Sequence, residues 1–196
     1  DLRIVHVNLL ELIVDYLKER NFYDKAIQIQ RDKGDDALLS VLKAPLDATR
    51  LAKIFAEKVE PETNDLVLVS GGSSVGQEDH APMLLAEHGE LAIHGIAMRP
   101  SSPTGMGVLD ERLVFLLPGN PVSCLCAYDF FAGRAIRVLG GRAADWPYRR
   151  TTAPLARKIV STVGRLDYLR VRLMEGRVDP IAIAGSSILS STTRAH

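Results

Sequence analysis

Apolar and polar residues follow two different periods along the first 140 positions. Leu9, Leu10, Leu12, Ile13, Tyr16 and Leu17 recur at the spacing of one helical face. Asn8 stands at the N-cap position of that helix, with Glu11 three residues on, close to a capping box. Ala26–Gln30 reads as a short strand. A helix from about Asp35 stops before Pro45, and another starts at Asp47, where Leu46 and Leu51 have the spacing of a hydrophobic staple. Leu66-Val67-Leu68-Val69 is a continuous apolar run, the pattern of a strand covered on both faces. A helix from Asp79 to His88 ends at Gly89, and strands follow at Leu91–Met98, Gly105–Leu109 and Arg112–Leu117, the last two joined at Asp110-Glu111. Asn120 caps a long helix that has Pro121 at its first position and stops at Gly140-Gly141.

This alternation predicts an α/β fold of three layers, with a mostly parallel sheet and helices on both faces. From Leu155 onward the pattern changes to short strands and turns. Charge changes at the same place. Residues 1–140 carry 14 basic and 20 acidic side chains, whereas residues 141–196 carry 10 and 4. The sequence therefore divides into an α/β domain over 1–141 and a partial, small β-rich C-terminal domain over 142–196.

Composition narrows the function class. The chain has 196 residues, is 46% hydrophobic, and carries 24 basic against 24 acidic side chains. A zero net charge argues against a general nucleic-acid binder. No apolar run approaches the ~18 residues of a membrane span, and a cytoplasmic location is expected. Two cysteines exclude a disulfide scaffold.

Two strand-to-helix loops are the candidates for chemistry, because open α/β sheets bind ligands at the carboxyl ends of their strands. The first is Ser70-Gly71-Gly72-Ser73-Ser74-Val75-Gly76, followed by Asp79. Its glycines let backbone approach a ligand, and successive amides can form an anion-binding nest. The second is Leu117-Pro118-Gly119-Asn120-Pro121-Val122-Ser123, which opens a helix whose amino end favours an oxyanion. Gly72-Ser73-Ser74-Val75-Gly76 also matches a nucleophile elbow. That motif needs a helix directly after the serine, and a downstream acid and then a histidine. Gly76 and Pro82 delay the helix, and the histidines fall too early or at the terminus. The histidines lack zinc-ligand spacing, and Cys124 and Cys126 are expected as core residues.

Over Asp65–Gly76, at Asp79 and over Leu116–Ser123 the sequence resembles the molybdopterin molybdenumtransferase family, comprising the MoeA proteins and the gephyrin E domain. Gly164-Arg165-Leu166-Asp167-Tyr168 and Gly185-Ser186 are similar to its C-terminal β domain. The resemblance runs from about Asp65 to Gly141 and again from Gly164 to Ser191. It implies a MogA-like molybdopterin-binding domain, and a reaction that inserts molybdate into adenylylated molybdopterin with release of AMP and a magnesium requirement. It assigns the catalytic positions to Asp32, Asp79 and Arg99, with Asp79 and Asp32 at the metal. Cofactor binding then falls to Ser70, Gly71, Gly72, Ser73, Ser74, Val75, Gly76, Ser102, Pro118, Gly119, Asn120, Pro121, Ser123, Arg165 and Ser186. The expected partners are molybdopterin-AMP, molybdate and a second copy in a homodimer, with neither nucleic acid nor membrane.

The family pattern is not followed throughout. Its domain opens with a strand ending in Thr-Gly-Asp-Glu, absent here together with the elongated N-terminal domains, so the chain is expected to be part of a longer protein or a cut-down member of the family. Its Lys-Pro-Gly-Lys-Pro becomes Arg99-Pro100-Ser101-Ser102-Pro103, with one cation fewer. Two other readings stay open: a MogA-type adenylyltransferase that loads molybdopterin with AMP, and a non-catalytic scaffold of the gephyrin E type.

Overall fold

The computed structural model describes residues 2–8, 64–74, 79–182 and 195. The helix expected over Leu9–Leu17, the strand at Ala26–Gln30 and the helices from Asp35 and Asp47 lie outside these residues.

A five-stranded sheet forms the centre, in the order β1-β2-β6-β5-β3. Its strands are β1 (Ile4–Asn8), β2 (Leu66–Ser70), β3 (Glu90–His94), β5 (Gly105–Leu109) and β6 (Arg112–Leu117). β1, β2 and β6 run parallel, β5 is antiparallel to β6, and β3 is antiparallel to β5. Four strands thus share one direction and β5 alone is reversed, which makes the sheet mostly parallel, as expected. β2 has a parallel neighbour on each side, and Leu66, Val67 and Val69 are fully buried. Each such side chain contributes about 1.5–3 kcal/mol by leaving water.

Both faces are covered. On one, Leu84 and Leu85 of α1 (Ala81–His88) pack against Val67, Val69, Val114 and Leu116. On the other, Leu66, Phe115 and Leu117 meet Ala127 and Ala132. Those alanines belong to a helical run of α2 (Pro121–Ala127), a π-helical turn (Tyr128–Ala132) and α3 (Gly133–Leu139). Side chains of a strand alternate between faces, so β2 and β6 feed both cores at once.

The structure departs from the sequence reading in three places. β1 is a strand that the reading lacked; Val5 and Val7 face the core while His6 is exposed. α1 starts at Ala81, with His80 rather than Asp79 at the N-cap. The strand expected over Leu91–Met98 ends at His94, because Gly95 turns the chain at φ +85°. A short β4 (Met98–Arg99) follows and pairs in parallel with β7 (Leu166–Asp167). β8 (Arg170–Met174) and β9 (Arg177–Ala182) form an antiparallel hairpin.

Candidate functional site

Sheet register aligns the two candidate loops. Asn8, Ser70 and Leu117 are partners across three parallel strands, so β1, β2 and β6 end level with one another. The reversed β5 begins at this same edge, with Gly105 opposite Leu116 and His94. It therefore delivers Met98–Thr104 to the loops.

The first loop leaves β2 through Gly71 and Gly72, both at positive φ (83° and 58°). Only glycine takes that conformation without steric cost. Gly71 N–H donates to Leu117 O at 3.1 Å, which ties the first loop to the strand feeding the second. Ala81 N–H donates to Gly72 O at 3.0 Å and so closes the loop onto α1 just after Asp79. The buried Ser73 offers its carbonyl to His94 Nε2 at 2.7 Å. A carbonyl only accepts, so that ring nitrogen carries the proton. His6 Nε2 and Ser70 Oγ lie 2.8 Å apart.

In the second loop Asn120 takes the N-cap position with extended backbone (φ −68°, ψ 126°), and Pro121 opens α2. The Asn120 carbonyl accepts from Cys124 N–H at 2.9 Å. The side chain does not cap the helix amides, unlike the arrangement expected from sequence.

Met98–Thr104 folds against the second loop. Ser101 Oγ donates to Ser123 O at 2.5 Å, and Thr104 Oγ1 donates to Ser101 O at 2.7 Å. Between them opens a pocket of about 380 Å³. Six of the residues singled out in the sequence line it: Arg99, Ser102, Pro118, Asn120, Ser123 and Arg165. Among the described residues, Asp79 and Ser70–Ser74 are not part of its wall. Asp32, Val75, Gly76 and Ser186 lie outside the described residues.

Arg165 reaches the pocket because Leu166 N–H donates to Ala97 O and Tyr168 N–H to Arg99 O, each at 2.8 Å. Here the sequence reading missed a residue. Asp167, its side chain 4% exposed, lies 2.9 Å from Arg99 Nε and 3.2 Å from Arg165 Nε through a single carboxylate oxygen. Ser161 Oγ donates to the other oxygen at 2.6 Å. The Ser161 hydroxyl foremost, then the two guanidiniums, hold the Asp167 carboxyl below the ordinary carboxylate range. Nothing local in Arg165-Leu166-Asp167-Tyr168 announces this, since Arg99 comes from a distant strand.

Cys126 is buried in the layer beneath, beside Met98 and Val122, and burial pushes its thiol up to about 11. Cys124 and Cys126 are free thiols, and Cys126 is protonated at neutral pH, as suits a core residue. Among the described residues no cluster of three or more His, Cys, Asp or Glu could hold a metal ion. No helix among them is long and apolar enough to cross a membrane.

A mostly parallel sheet with two glycine-bearing loops at one carboxyl edge defines an open α/β ligand-binding domain. Residues 12–137 match the family described as "Probable molybdopterin binding domain", and the chain belongs to that family. It is 33% identical over 145 residues to a Methanocaldococcus jannaschii protein named for molybdopterin biosynthesis, covering 74% of this chain and 33% of that one. With molybdopterin molybdenumtransferase 1 of Mycobacterium tuberculosis it shares 34% identity over 149 residues, covering 72% and 34% respectively. The crystal structure of a MoeA molybdopterin biosynthesis protein from Pyrococcus horikoshii superposes with a TM-score of 0.58 at 31% identity, covering 76% of this chain and 35% of that one. The chain thus spans about a third of the length of these relatives.

Proposed function

We propose that this chain is the pterin-binding part of a molybdopterin molybdenumtransferase. It binds adenylylated molybdopterin, accepts molybdate, and supports insertion of the metal at the dithiolene with release of AMP. The observation that carries the reading is the pocket at the carboxyl edge of the sheet, where two guanidiniums meet the Pro118–Ser123 loop. Arg99 and Arg165 neutralise oxyanion charge, and Ser102, Asn120 and Ser123 supply polar groups around it. Beyond the Gly71 amide, which Leu117 occupies, Gly72, Ser73 and Ser74 offer backbone amides to the phosphate side of the ligand. Pro118, Gly119 and Pro121 shape the facing loop, and the family resemblance adds Val75, Gly76 and Ser186 as further ligand contacts.

Magnesium suits this donor set, because it takes one or two carboxylates together with substrate phosphates. Asp79, next to the glycine turn, is one such carboxylate and Asp32 the second. When bound, the ion would neutralise charge developing on the phosphate anhydride. Residues 142–196 contribute a β-rich segment that completes the pocket; support comes from Arg165, which lies beyond Gly141 and lines it. That contribution favours the transferase over a stand-alone adenylyltransferase. The free thiols suit the cytoplasm. The exposed apolar side chains of Leu125, Val138 and Leu139 are surface for a second copy to cover in a homodimer.

The test is AMP release from adenylylated molybdopterin, with the chain joined to the remaining parts of a full-length transferase. Release that depends on molybdate supports the proposal. ATP consumption without molybdate points to the adenylyltransferase, and neither activity points to a scaffold.

A further inference from the structure

We infer that Asp167 is the positioning residue of the pocket, a single buried carboxylate that fixes both guanidiniums facing the oxyanion. The inference rests on the reading of the pocket as an oxyanion site. Two like charges do not gather unaided. Arg99 and Arg165 come from strand and loop segments distant in sequence, and their side chains are 36% and 30% exposed, so solvent competes for each. Their mutual repulsion and the rotamer freedom of two long side chains both favour separation. Asp167 opposes this by placing one oxygen 2.9 Å and 3.2 Å from the two Nε atoms.

The carboxylate is itself fixed from three sides. Register places Asp167 opposite Arg99 in the β4–β7 pair, and backbone hydrogen bonds flank it at Leu166 and Tyr168. Ser161 occupies its second oxygen. The three charges sum to one positive charge. Both Nε atoms are buried beside Asp167 Oδ1 as ion pairs without an aligned hydrogen bond, which leaves the terminal N–H groups as the ones a tetrahedral oxyanion meets. Arg165 Nη2 is steadied in addition by Thr162 Oγ1 at 3.1 Å. Asp167 therefore acts on the ligand through the arginines, without touching it.

Three roles give different results for Asp167→Asn in the full chain. If Asp167 positions the arginines, both guanidiniums are released. Phenylglyoxal then modifies Arg99 and Arg165 several-fold faster, read by peptide mass mapping, and calorimetry gives roughly tenfold weaker binding of molybdate and inorganic phosphate. Asp167→Glu, which keeps the charge, recovers part of both effects. If Asp167 only subtracts charge, the Asn variant binds these oxyanions more tightly, and the inference fails. If it only stabilises the fold, melting temperature drops while arginine reactivity and affinity in the folded protein stay unchanged, and the inference fails again. Should Asp167→Asn not fold, Ser161→Ala loosens the carboxylate alone, and unchanged arginine labelling there is equally fatal. Faster labelling of a protein whose parent binds neither oxyanion leaves the positioning role standing and overturns the proposed function instead.

Discussion

A Cβ added to Gly119 would lie 3.3 Å from the Cα of Gly71, so the two loops of the site meet backbone against backbone. Any side chain at Gly119 must push the loops apart by a few tenths of an ångström. Gly119→Val is expected to lower pterin affinity about tenfold while far-UV circular dichroism stays that of the parent. Gly71→Ala acts differently, because Gly71 has φ +83°. It is expected to cost about 1–2 kcal/mol in urea unfolding.

Asp79 precedes α1 without serving as its N-cap, a position that His80 occupies. Asp79→Asn therefore should not act through lost capping. Calorimetric titration of pterin ligand with and without magnesium is expected to show the magnesium-dependent part of binding reduced in the variant. Equal magnesium dependence in both proteins removes Asp79 from the metal.

Ser102 lines the pocket with Arg99 and Arg165, and it is neutral where the resembled family carries its second lysine. One charge-assisted hydrogen bond is worth about 1.5–3 kcal/mol, or roughly ten- to a hundredfold in affinity. Ser102→Lys is expected to raise molybdate affinity within that range and to leave pterin affinity close to its starting value. Competition titrations with the two ligands separate these effects.

Alkaline pH should loosen the contact between the π-helical turn and the segments that follow it. Tyr148 donates to Asp129 Oδ1 at 2.6 Å, and that hydrogen bond foremost pushes the Tyr148 phenol up to about 12. Burial foremost raises Tyr168 to about 12 as well. Both folded values lie above the ordinary 10, so folding favours the neutral phenols. Their contribution is complete below pH 10 and disappears as pH rises toward 12. Urea midpoints are expected to be level from neutral pH to about 9.5 and then to fall, less steeply in Tyr168→Phe.

Several elements were legible in the sequence because their causes are local. The apolar run of β2 and the apolar stretch of β6 mark strands between packed layers, and Pro121 marks the start of α2. β1 escaped because His6 and Asn8 interrupt its apolar residues just before a strong helical pattern at Leu9–Leu17. β4 and β7 have two residues each and exist only through their mutual pairing, which no local pattern encodes. The same reason hid Asp167. Arg99, Ser102, Pro118, Asn120, Ser123 and Arg165 could be named one by one, but not the carboxylate that brings two of them together.

The reversal of β5 also decides where the protein tolerates change. Its turn into β6, Asp110-Glu111, sits at the opposite edge of the sheet from the loops, about 17 Å away along the six residues of β6. Both turn residues have positive φ, 46° and 65°, a conformation that Asn-Gly adopts more easily. That corner is therefore a handle: a fluorophore, an affinity tag or a short inserted peptide can be grafted there, leaving the loop edge of the sheet free to report binding.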